Sequence, residues 1–406
     1  MGNKNIAMST CTVLVTIIAL ICSIGCATTP PKTEPPDDNG VGSSTQGLAA
    51  TTDCLEGRSC DFPSESIDND AESPNNDAGS VHVSYNSTDG VNQANNELKY
   101  ATKNDQDNWI IDTVDTGGVG WYSCLKVDSN DNVHISYYDI INQALKYATN
   151  SSGTWVTTTV DSSSFDVGWS TSLVLDSNDK AHITYYDAVN QSLKYATNAT
   201  DSWVSSTIDA SADVGWVSSL AIDESFDVDS LHVVYPDDTN GTLKYATNTS
   251  GTWDISTVDT IGSSTTLAGW YLERIAALDI DADGNAQVGY YDIINGTLKH
   301  ATNATGSWVA STIDATGDVG SSTSIETYLN GAERVVLIFY YDADNVKLKY
   351  AINRNAGDGA WVTHTPPISG TIGEEPSISV NEDTGEFHVT SLDPANNEVI
   401  YSPPIP

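Results

Sequence analysis

The chain has 406 residues, 55 of them acidic against 16 basic, with a formal charge of −39 and 39% hydrophobic residues. It is apolar enough for a packed core, and with no cluster of Lys and Arg to neutralise phosphates it excludes nucleic acid as a partner. The acidic balance suits a solvated surface, a saline habitat or cation binding.

In chain order, the first element is an export signal. Lys4 precedes an apolar run from Ile6 to Ile24 that ends in CSIGC. Residues 1–26 resemble a bacterial lipoprotein signal, which is cleaved before a cysteine that then carries lipid; Cys26 fits that position. Ser23 stands where an aliphatic residue is usual, so cleavage by an ordinary signal peptidase and retention as an uncleaved anchor are the alternatives. The expectation is an exported protein, held at the cell surface or outer membrane by lipid, or secreted. Residues 27–50, rich in Pro, Thr, Ser and Gly without periodicity, are expected to form a flexible tether. Cys54 and Cys60 would close a small disulfide loop in an oxidising compartment.

From residue 51 onward the chain repeats itself. LKYATN or a near copy begins at Leu98, Leu145, Leu193, Leu243, Leu298 and Leu348, and a seventh, eroded copy lies at Asn396–Ser402. A period near 50 residues signals a solenoid or a propeller. Each period holds four strand-like pieces, as in Thr171–Asp176, Ala181–Asp187, Ser192–Thr197 and Ser202–Asp209. They alternate side chains, are rich in β-branched and aromatic residues, and are punctuated by Asn, Asp and Gly. Four short antiparallel strands, repeated seven times, predict an all-β, seven-bladed β-propeller over 51–406. The outer strand that begins with Trp occurs only six times, so the segment around Ala50–Phe62 is expected to complete the last blade. The lysines of the hexapeptide are expected to form ion pairs between blades, which makes the motif scaffold.

The turns NSSGTWV, NTSGTWD and NATGSWV resemble degenerate Asp boxes of sialidase-type propeller blades, and the whole unit resembles repeats of secreted bacterial propeller proteins over about Pro63–Ser402. The resemblance implies the fold and is nearly silent about activity. Sialidases hold the substrate carboxylate with three arginines; this chain has only Arg58, Arg274, Arg334 and Arg354, which cannot cluster at one mouth.

Several residue sets are candidates for chemistry. His82, His134, His182, His232 and His388 recur at one position of the second strand, with Gln287 in register. Strands about 4.8 Å apart separate equivalent residues of neighbouring blades too widely to share one metal ion, so these are read as structural and no metal site is expected. Asp139, Asp187, Asp237 and Asp292 end that strand, where they could take a sugar hydroxyl or calcium, or cap their own hairpin turns. DIDADG at Asp279–Gly284 begins like a calcium loop, but Tyr290 occupies the twelfth position where Glu is required. Symmetry breaks at the Gly-Trp steps. Trp121, Trp169, Trp216 and Trp270 precede innermost strands, whereas later blades carry Ser321 and Glu374. An aromatic arc beside carboxylates is how proteins grip sugars, so these tryptophans and aspartates are the candidate ligand site, for a glycan or another extracellular partner. Glu273, Arg274, Glu326 and Glu374 are the candidates if the propeller instead hydrolyses or eliminates polysaccharide; a purely structural surface protein is the third reading.

Overall fold

The computed structural model of the chain describes residues 46–47, 59–67, 80–88, 92–103, 108–224, 229–263, 275–355, 359–366, 374–381, 386–393 and 398–405. Seven four-stranded antiparallel sheets follow one another along the chain. Their innermost strands are Ser59–Ile67, Val119–Val127, Val167–Leu175, Ser219–Asp223, Ala276–Ile280, Val319–Asn330 and Glu374–Asn381, in blades 1 to 7. These pack side by side around a central channel, the last against the first. The fold is a seven-bladed β-propeller.

Closure differs from expectation in its residues. The fourth strand of blade 7 is Gln46–Gly47, which pairs with Tyr401 and Ile400, so the closing strand comes from within the stretch read as tether. Phe62 belongs instead to the innermost strand of blade 1. Residues 1–45, with Cys26, and Cys54 lie outside the described residues.

The hexapeptide is the joint between blades. Its leucines are fully buried at Leu98, Leu145, Leu193, Leu243 and Leu298. Its lysines cross to the preceding blade: Lys194 Nζ lies 2.6 Å from Asp161, Lys244 3.1 Å from Asp209, and Lys146, Lys299 and Lys349 pair with Asp115, Asp259 and Asp314. The same aspartates accept from the first tyrosine of each Tyr-Tyr-Asp or Tyr-Pro-Asp, as Tyr185 does to Asp161 at 2.7 Å and Tyr235 to Asp209 at 3.0 Å. Burial pushes the Asp161 carboxyl up, but hydrogen bonds from Lys194, Ser163 and Tyr185 outweigh it and hold the group at about 2. Lys99 is the exception, pairing with Glu97 of its own blade.

The tyrosine of the hexapeptide works twice. Its hydroxyl meets the second-strand histidine, at 2.6 Å for His82–Tyr100 and 2.5 Å for His182–Tyr195. Its ring meets, edge to face, the outer-strand tryptophan of the next blade, as in Tyr100–Trp155, Tyr147–Trp203, Tyr195–Trp253 and Tyr245–Trp308 at centroid distances of 5.0 to 5.6 Å. Trp109 against Tyr401 closes that girdle across the join of the first and last blades. The final asparagine accepts the backbone N–H that opens the second strand, from Val133, Ala181, Leu231 and Ala286 at 2.7–2.8 Å. The histidines are therefore structural. Blade 5 keeps the bond by exchanging partners: His300 replaces tyrosine and bonds Gln287 at 2.8 Å. Blade 6 drops it, placing Leu337, Phe339 and Ile352 in an apolar cluster that also takes Phe387.

Candidate functional site

The Gly-Trp step is where each inner strand enters the ring. Gly120, Gly168, Gly215 and Gly320 all adopt positive φ, between 76° and 113°. A Cβ on Gly168 would stand 2.7 Å from the Leu145 backbone, and one on Gly320 2.9 Å from Leu298 Cα. The glycine is thus dictated by the hexapeptide leucine of the preceding blade. The tryptophan is not: blade 6 keeps the glycine, its φ and its leucine contact with Ser321 in place of Trp.

Behind the Trp, the chain bulges. Tyr122 and Ser170 sit in left-handed backbone at φ 53° and 47°, at register shifts between the first and second strands. In blade 7 the same place is taken by Glu375, at φ 50°. Tyr122 stacks on Trp169 of the next blade at 6.0 Å and 24°, and meets Trp121 edge to face at 6.2 Å. Trp169 is fixed from below: its Nε1 donates to Asp166 Oδ1 at 2.6 Å, and Tyr138 donates to the same oxygen at 2.5 Å. All three residues are part-exposed, and Phe165, beside Asp166, is 75% exposed. The result is a continuous aromatic cluster, Trp121–Tyr122–Trp169, whose last ring is held by a carboxylate. Trp216 is turned toward packing, against a cluster that contains Tyr290 and Ile275. Trp270, Glu273 and Arg274 lie outside the described residues, as does the side chain of Glu374.

Tyr122, Ser170, Val217 and Glu375 also line the upper wall of a cavity of about 290 Å³ in the channel. Two layers deeper, past Cys124 and its equivalents, matching positions carry Lys126, Val174, Ala221, Asp279 and Glu326. Charge therefore enters this layer from blades 2, 5 and 6 alone among the described blades. Burial pushes the Asp279 carboxyl up, against hydrogen bonds from the Thr327 hydroxyl and N–H. Around the wall, Cys124, Ser172 and Ser219 accept the backbone N–H of Leu173, Leu220 and Leu278 in the next blade. Cys124 is a free, part-buried thiol doing a serine's work.

Asp139, Asp187, Asp237 and Asp292 do not open on the mouth. They are 1–4% exposed, and each caps its own hairpin: Asp139 takes the N–H of Ile141 and Asn142 and the Asn142 amide. Asp237 is occupied likewise by Asn240 and Lys244. A ligand could reach these carboxylates only by unmaking the turns. Arg334 and Arg354 pair with Asp283 and Glu333 in turns of the opposite face. Among the described residues no group of His, Cys, Asp and Glu could hold a metal ion.

Two residues escaped the sequence reading. Tyr122 follows a Gly-Trp whose repeats have Ser170 and Val217 at that place, and blade 1 has a second aromatic residue, Phe62, at the equivalent bulge. Asp166 recurs as Asp213 and Asp318 in Asp-Val-Gly, where each accepts from a tyrosine, Tyr186 or Tyr291.

No family description and no curated protein matches this sequence. Solved structures do match in fold. An ulvan lyase, described as a new family of polysaccharide lyase, superposes with a TM-score of 0.53 at 12% identity, over 85% of this chain and 93% of its own. A structure of such a lyase bound to GlcA(1-4)Rha3S gives 0.54 at 12% identity over the same shares. The polysaccharide lyase Uly1 gives 0.50 at 8% identity, over 79% and 87%. At these identities the likeness is one of fold.

Proposed function

We propose that this protein is an exported, lipid-anchored β-propeller that binds glycans at the channel mouth. The observation that carries the reading is the Trp121–Tyr122–Trp169 cluster. Its residues are part-exposed, Trp169 is oriented by Asp166, and its tryptophans follow a glycine that the fold demands without being demanded themselves. Aromatic faces take the C–H face of a pyranose, while the polar arc at Ser170 and Glu375 offers acceptors for its hydroxyls. The propeller lyases that share the fold act on polysaccharide, which agrees with the reading. The expected export signal would place the mouth outside the cell, within reach of such chains.

The test is a glycan array probed with residues 46–406 and with the Trp121→Ala/Trp169→Ala variant, alongside thermal melts of both. Binding by the parent that disappears in a cooperatively melting variant supports the reading. A parent that binds no glycan overturns it.

A second reading has its own observation. The layer of Lys126, Asp279 and Glu326 breaks the symmetry of the channel wall with charge, and the upward shift of Asp279 suits a proton donor. A polysaccharide hydrolase or lyase working there would release new chain ends. Glu326→Gln would then abolish that release while leaving glycan retention intact.

A further inference from the structure

We infer that Phe165 is an outer saccharide contact, carrying the ligand from the mouth across the rim of blade 3, so that the protein takes chains in preference to single sugars. The inference rests on the glycan-binding reading and adds to it where the ligand runs and how long it must be.

The loop between the outer strand of blade 2 and the innermost strand of blade 3 reads SSSFD, residues 162–166. The loops entering blades 4 and 6 read ASAD and ATGD, and the one entering blade 2 reads TGG. Blade 3 thus has the longest of these four crossings. It carries Phe165 where the others have Ala212, Gly317 and Gly117. Gly117 is exposed, and a Cβ there would meet nothing within 4 Å. A blade of this ring can therefore be entered with no side chain at this place. Phe165, 75% exposed, takes little part in packing.

The backbone that presents the ring is pinned on both sides. Before it, the Ser164 hydroxyl donates to Asp187 Oδ1 at 3.1 Å. After it, the Asp166 carbonyl accepts the Ala188 N–H at 3.0 Å, while the carboxylate takes Trp169 Nε1 and the Tyr138 hydroxyl. An aromatic side chain with two torsions on a fixed base loses little freedom on contact. Val189, exposed at the tip of the hairpin that Ser164 and Asp166 bind, adds apolar surface to the same rim.

Topology gives the direction. The loop crosses from the perimeter strand Val156–Asp161 to the channel strand Val167–Leu175, so Phe165 stands outward of Trp169. Four residues separate the two, a span of at most about 14 Å. Tyr122 lines the cavity and stacks on Trp169, and Trp169 is bonded to the residue that follows Phe165. The apolar groups form a line from cavity to rim. Such a line suits successive units of a polymer, each giving a C–H face to one ring, whereas a single sugar meets one ring only.

The experiment uses an array holding size series, from disaccharide to octasaccharide, of β-glucans, mannans, xylans and uronans. It is probed with the full chain and with its Phe165→Ala, Phe165→Trp and Trp169→Ala variants. We expect the octasaccharide of the recognised series to bind at least about tenfold more tightly than its disaccharide. Phe165→Ala should melt like the parent, as an exposed substitution does, and reduce that ratio to about twofold or less. Phe165→Trp should keep the ratio, and Trp169→Ala should weaken chains of every length. Equal binding of disaccharide and octasaccharide by the parent would overturn the inference and leave the glycan reading standing. So would a Phe165→Ala variant that keeps the full ratio, or one that melts early because the ring was packing. Absence of binding to any saccharide overturns the glycan reading, and this inference with it.

Discussion

The blade joints and the channel mouth are built by opposite rules. At the joints, blades 2 to 6 repeat one arrangement: a lysine crossing to an aspartate and a tyrosine hydroxyl on that aspartate, with a leucine beneath a glycine at the entry to blades 2, 3, 4 and 6. At the mouth, equivalent backbone positions hold Tyr122, Ser170, Val217 and Glu375. Each joint is buried and must satisfy a charge, so its residues are fixed as a set. The mouth faces water, so its residues are free to differ once the glycine lets the strand pass. Repetition in this molecule marks what the fold needs, and departure from repetition marks what the fold leaves open.

That comparison can be broken by mutation at the joint. Asp161→Ala strands the buried Lys194 ammonium and the Tyr185 hydroxyl together, and removing one partner of a buried pair costs about 3–5 kcal/mol. The thermal midpoint should fall by several degrees, measured by circular dichroism, with no change at the mouth. A midpoint within a degree of the parent would mean that the joints are not what holds the ring.

Acid should dissolve the joints in two stages. His82, His300 and His388 are held at about 4 in the fold, burial keeping them neutral, against 6.5 when unfolded. A depressed histidine makes the unfolded chain the better proton binder, so stability is full above about pH 6.5 and declines toward pH 4. Asp128, Asp161 and Asp314 are held at about 2 against 3.8 unfolded, so a second loss runs from about pH 4 down to 2. Unfolding midpoints followed across this range should show both declines; a flat profile between pH 6.5 and 4 would remove the histidines from the account.

Smaller effects sharpen the contrast. Gln287→His and His300→Tyr together restore in blade 5 the pair found in blades 1 to 4. Each alone should destabilise, and the double variant should recover, with a coupling of about 1–2 kcal/mol in denaturant titrations. At the channel wall, Cys124→Ser reproduces Ser172 and Ser219 and should stay within about 0.5 kcal/mol of the parent. Cys124→Val leaves the Leu173 N–H without its acceptor and should cost about 1–3 kcal/mol.

The sequence, through its period and its turns, was enough to establish seven four-stranded blades, because strand alternation and hairpin chemistry act within a few residues. It also separated scaffold from exception: the lysines as links between blades, the histidines as structural, Ser321 as a break in the tryptophan series. It could not say what each carboxylate does. Asp139 and Asp166 are both aspartates beside the mouth, yet one caps its own turn and the other holds Trp169 and Tyr138 from the neighbouring blade. That choice depends on which side chains the ring brings within 3 Å, and those come from residues tens of positions away. The closing strand was misjudged for the same reason. Gln46–Gly47 carries no strand signal of its own and pairs because the last blade leaves an open edge. Local pattern determined the blades; only their closure into a ring decided which polar groups are buried and satisfied, and which are left exposed at the mouth.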